Sequence, residues 1–70
     1  MIVLDCLGQR CPLPVIALAK RIRTAEVGEV IRVLADDPAA ANDIRAWCRM
    51  KEQEFLNEDG TALDVRKLSP

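Results

Sequence analysis

The pair Pro12 and Pro14 constrains this chain more than any other feature. Proline lacks a backbone N–H and clashes with the preceding turn, so two prolines in a helix interior would break it. They are tolerated together only in a first turn, where backbone N–H groups have no intrahelical partner. The spacing predicts a helix that starts here, with Pro12 its first residue, Pro14 its third and Cys11 the cap just outside. Val15, Leu18, Ala19 and Ile22 follow at the i, i+3, i+4, i+7 spacing of a buried stripe. The helix is expected over residues 12–24, with Lys20, Arg21 and Arg23 suiting its C-terminal end.

Before this helix, residues 2–5 are apolar and β-branched and read as a strand, and Cys6 to Arg10 is a loop punctuated by Gly8. After it, Gly28 marks a turn and Glu29 to Ala35 read as a second strand, Ile31, Val33 and Ala35 alternating with Arg32 and Leu34. Asp36-Asp37-Pro38 is a helix start, with Asp37 as cap and Pro38 in the first helical position. That helix is expected to reach about Met50, burying Ala40, Ile44, Trp47 and Cys48 while Asp43, Arg45 and Arg49 point away. Glu54 to Glu58 and Ala62 to Leu68 form a hairpin about Asp59-Gly60. The order is β-α-β-α-β-β. It predicts an α/β (α+β) fold, a two-layer sandwich with both helices on one face of a four-stranded mixed sheet. The other sheet face is left open to water or to a partner.

With 70 residues, the chain reads as one domain, residues 1–70, burying about 60% of the surface its unfolded form exposes. It has no room for a deep cofactor cavity beside a separate core, so chemistry is expected at the surface and no cofactor is called for. The net charge of −1, from ten basic and eleven acidic side chains, argues against direct nucleic-acid binding. The basic groups Arg10, Lys20, Arg21, Arg23 and Arg45, Arg49, Lys51 read as solvated helix faces. The longest apolar stretch falls far short of the roughly 20 residues of a membrane span, and Ile2-Val3-Leu4 has no basic leader. The expectation is a cytoplasmic protein with reduced thiols. Three cysteines and no histidine exclude a Cys–His pair and leave no metal site by spacing.

The chemistry therefore falls to Cys11. A helix N-terminus concentrates about half a positive charge. A thiolate there is stabilised, so its pKa is expected to fall below about 8.5. Arg10 is expected to add to the effect, and the Leu13 N–H to be available to the sulfur. Such a thiolate, without a base or metal, suits acceptance of a sulfur atom from one protein and delivery to another. Both steps are attacks of thiolate on sulfur and need access more than a cavity.

The run Asp5-Cys6-Leu7-Gly8-Gln9-Arg10-Cys11-Pro12-Leu13-Pro14 resembles the signature of the TusA/SirA/YedF family of small sulfur carriers. Asp36-Asp37-Pro38, Asp43-Ile44, Ala46-Trp47-Cys48-Arg49 and Glu58-Asp59-Gly60 extend the resemblance over nearly the whole chain. The resemblance implies that Cys11 receives a persulfide sulfur from a cysteine desulfurase or rhodanese and relays it to an acceptor protein. Destinations in the family include tRNA 2-thiouridine synthesis, cofactor assembly and sulfur oxidation. It implies further that Asp5, Gly8, Arg10, Pro12 and Pro14 shape the loop about Cys11. The chain departs from the family at Met50-Lys51-Glu52-Gln53, where many members carry a Gly-His pair, which puts the local turn in doubt.

Two other readings compete. A thiol-redox protein would use Cys6 and Cys11, although their spacing is longer than Cys-x-x-Cys; Cys6 reads instead as a spare residue near a strand end. A non-catalytic RNA- or protein-binding module rests on fold analogy alone. Cys48 reads as core.

Overall fold

The computed structural model describes residues 1–70, and the elements occur in the expected order. They are β1 (Ile2–Asp5), α1 (Leu13–Ile22), β2 (Val30–Leu34), α2 (Ala40–Lys51), β3 (Glu54–Asp59) and β4 (Ala62–Arg66). The sheet order is β1-β2-β4-β3. β1 runs parallel to β2, while β4 lies antiparallel to both β2 and β3. The sequence therefore folds as the predicted two-layer α+β sandwich, with β4 inserted between β2 and β3.

Alternation along the strands builds the core. Leu4, Val33 and Leu63 stand in one cross-strand row, and Ile2, Ile31, Val65 and Phe55 in the next. Ile31, Val33 and Val65 are wholly buried, as are Leu18 of α1 and Ile44 of α2. The stripe Ala40, Ile44, Trp47, Cys48 is buried as expected from its spacing. Pro14 is also fully buried, in line with Leu18 and Ile22, so it is a core residue as well as a turn former.

The sheet face opposite the core carries charged pairs and stays open to solvent. Arg32 binds Asp64 through two N–H donors, at 2.8 and 3.0 Å, and Arg66 donates to Glu54 at 3.1 Å. These partners are cross-strand neighbours, Arg32 opposite Asp64 and Glu54 opposite Arg66, where opposite charges favour the register. Asp64 is 7% exposed, and the guanidinium beside it holds its carboxyl below the usual range.

Two helix starts differ from the sequence expectation. Pro12 is the cap of α1 and Leu13 its first residue. The Leu13 N–H closes a tight turn onto the Arg10 carbonyl at 2.8 Å, and the first helical bond runs from Ile16 N–H to the Pro12 carbonyl at 3.0 Å. Cys11 thus lies one residue further out than predicted, in a turn before the helix. At α2 the helix begins at Ala40, with Pro38 and Ala39 in a preceding turn. Asp37 caps that turn: its carboxylate accepts the Ala39 N–H at 2.9 Å and its carbonyl the Ala40 N–H at 3.0 Å.

At the other end of α2, Glu52 adopts φ 59° and ψ 41°, the left-handed conformation that normally selects glycine. The turn closes without a glycine, and Gln53 N–H returns to the Cys48 carbonyl at 2.9 Å.

Candidate functional site around Cys11

Because β1 and β2 are adjacent and parallel, the loops that follow them leave the same end of the sheet. Open α/β sheets place their sites at the carboxyl ends of such strands. The loop after β1 carries Gly8, Arg10 and Cys11; the loop after β2 carries Asp36 and Asp37. The second loop fastens the first. Gly8 N–H donates to both oxygens of Asp36, at 3.0 and 3.2 Å, and Cys11 N–H donates to Asp37 Oδ2 at 2.8 Å. Within the first loop, Asp5 accepts the Leu7 N–H at 3.1 Å. Gly8 has φ 79°, which glycine adopts without steric cost. The Cys11–Pro12 peptide bond is cis.

Cys11 is exposed, whereas Cys6 and Cys48 are buried, each 2% exposed. Burial, and next the charge of Asp5, push the Cys6 thiol up. Burial alone pushes Cys48 up to about 11. The structure thus presents a single accessible thiol. Beside it, Pro12, Val15, Ala46, Trp47 and Met50 line a shallow, mostly apolar groove of about 240 Å³ between α1 and α2.

The electrostatics at Cys11 reverse the sequence expectation. Its thiol lies above the ordinary value, because it donates a hydrogen bond to Asp43 Oδ2, because it is partly desolvated, and because Asp43 and Asp37 are negative. The carboxylate that accepts the thiol hydrogen is the first of these causes, and the motif offers few donors to oppose it: Pro12 and Pro14 have no N–H, and the Leu13 N–H is bonded to the Arg10 carbonyl. Arg10 does not act on the sulfur as expected; its charge helps hold Asp37 low, after the amides of Ala39 and Cys11.

Of the predicted site residues, Asp5, Gly8, Arg10 and Pro12 share the loop that carries Cys11, and Pro14 anchors the following helix in the core. Sequence reasoning missed Asp36, gave Asp37 only its capping role and pointed Asp43 away. Asp43 is instead half-buried against Cys11. The signal available was topological: two loops at the carboxyl ends of neighbouring parallel strands must meet. No three His, Cys, Asp or Glu side chains gather closely enough to hold a metal ion, and no helix is long and apolar enough to cross a membrane.

Comparison with known proteins brings out a family and a structural relative. A family model described as sulfurtransferase TusA matches residues 2–69. The crystal structure of a SirA-like protein from Desulfitobacterium hafniense matches with a TM-score of 0.70 and 32% sequence identity, over 93% of this chain and 92% of that one.

Proposed function

Since the chain belongs to the TusA family of sulfurtransferases, we propose that residues 1–70 act as one sulfur-carrier domain whose working atom is the sulfur of Cys11. The observation that carries this reading is the exposure of Cys11 beside an apolar groove while both other thiols are buried. Sulfur exchange between proteins needs a thiol that a second protein can reach, and a surface on which that protein can sit.

In the loading step, the Cys11 thiolate attacks the outer sulfur of a persulfide on a donor such as a cysteine desulfurase or rhodanese. A new S–S bond forms at Cys11, the donor's S–S bond breaks, and the donor cysteine leaves as thiolate with the electron pair. Delivery to an acceptor protein repeats the exchange, with Cys11 now the leaving thiolate. No net oxidation occurs in either step. Asp5 and Gly8 shape the Cys11 loop, Arg10 supports Asp37, and Pro12 and Pro14 fix the turn. The setting is a reducing cytoplasm, and the destination is tRNA thiolation, cofactor assembly or sulfur oxidation.

Intact mass spectrometry after incubation with a cysteine desulfurase and cysteine tests the reading. A gain of one sulfur, about 32 Da, is expected in the native chain and not in Cys11→Ser. Equal uptake by Cys11→Ser would end it. The dithiol alternative requires Cys6, whose burial argues against it; Cys6→Ser is expected to keep sulfur uptake.

A further inference from the structure

Sulfur exchange at Cys11 does not by itself require a carboxylate, yet one sits on the sulfur. Asp43 lies in the first turn of α2, where an acidic side chain is favoured by the helix dipole. That accounts for an aspartate there but not for its direction. Its carboxylate enters no ion pair, and its hydrogen-bond partner is the Cys11 thiol. The charged groups that act on Cys11 are Asp43 from α2 and Asp37 from the loop after β2, and the neighbouring Arg10 acts on Asp37. The first turn of α1 adds no acidic residue. Two carboxylates therefore act on the sulfur, and the guanidinium of the adjacent residue is engaged with one of them.

A carboxylate that accepts the thiol hydrogen favours the neutral thiol over the thiolate. We propose that Asp43 is a latch: it keeps Cys11 protonated in the free carrier and frees it when a partner sets a cationic side chain against the carboxylate. The inference rests on the carrier reading and names the chemistry of the partner. A protein that covers the apolar groove also strips water from Asp43, and an ionised carboxylate losing water needs a paired cation. Pairing withdraws the acceptor from the thiol, whose proton passes to water. The exposed sulfur is then sluggish toward adventitious disulfides and reactive inside a matched complex.

The test is the pH profile of the reaction with 4,4′-dithiodipyridine, in which the Cys11 thiolate displaces one thiopyridone per disulfide formed. Peptide mass spectrometry confirms that Cys11 is the labelled residue. Asp43→Asn is expected to move the profile to lower pH. If its thiolate fraction rises about tenfold at neutral pH, its rate rises only about threefold, because nucleophilicity falls with thiol pKa. At high pH, where both are ionised, the variant is the slower of the two, so the curves cross. Superimposed profiles overturn the latch. Asp43→Ser serves as the second variant if Asp43→Asn melts early. A tetra-arginine peptide is expected to speed the native chain more than Asp43→Asn; equal acceleration overturns the role of the cation. A native chain that shows the crossing but takes up no sulfur from a desulfurase retracts the carrier reading and leaves the latch standing.

Discussion

Ile44 is wholly buried on α2, one residue from Asp43, in a core of only 13 buried hydrophobic residues. Shortening it to valine removes one methylene, worth about 0.8 kcal/mol of transfer free energy, and the small void brings the loss to about 1 kcal/mol. Shortening it to alanine removes three carbons, about 2.4 kcal/mol before any cavity term, and about 3 to 4 kcal/mol with one. A chain of 70 residues has a total stability of roughly 4 to 10 kcal/mol at about 0.05 to 0.15 kcal/mol per residue. The unfolding entropy of such a chain is roughly 0.15 kcal/mol per kelvin, so Ile44→Val is expected to lower Tm by about 7 °C and Ile44→Ala by about 20 to 27 °C. Trp47 is the single tryptophan and is 8% exposed on the same helix, so its fluorescence follows the melt directly. A drop of less than about 2 °C for Ile44→Val would show that this site relaxes freely and that the core is not close-packed there.

Two further outcomes concern titration. Burial raises Cys48 from 9.0 to about 11, so between those values the unfolded chain sheds a proton that the folded chain keeps. Stability is then expected to fall as pH rises through this window, by up to about 2 kcal/mol at its upper end; denaturant melts of Cys48→Ala should show a flatter alkaline slope, and an unchanged slope would refute the assignment. Asp37 is held low by the amides of Ala39 and Cys11 and then by Arg10, so its support of the Cys11 loop is full above the ordinary carboxylate pKa and is lost as pH falls through the depressed one. Asp37→Ala is expected to speed hydrogen exchange at the Cys11 and Ala39 amides while Gly8, held by Asp36, stays protected; uniform exchange in variant and native chain would contradict the fastening.

The sequence carried the architecture because each element had its own local signal. Alternation at 31–35, the stripe at 40, 44, 47 and 48 and the Asp59-Gly60 turn report burial and chain reversal directly. β1 was read to its observed ends, while α1 was read too long at both ends, because its last buried position is Ile22 and its first turn is diverted by the Arg10–Leu13 closure. The insertion of β4 between β2 and β3 has no local marker; it depends on which strand edge remains free once β1 has paired with β2. The site was half legible for the same reason. Cys11 stood out through the prolines that follow it, but the carboxylate that accepts its thiol hydrogen comes from Asp43, 32 residues away in the chain, which the residues adjacent to the cysteine do not reveal.

The pairing of β1 with β2 also decides how the molecule can be handled. Ile2 lies opposite Ile31, and Arg66 opposite Val30, so both strands nearest the chain ends reach the pole remote from Cys11. The Gln53 side chain accepts the Leu68 N–H at 2.7 Å, tying the final residues to that same pole, beside the end of α2. A fluorophore, a tether to a surface or a fused protein attached at either terminus therefore starts from the side away from the thiol, and leaves a visiting protein free to approach it.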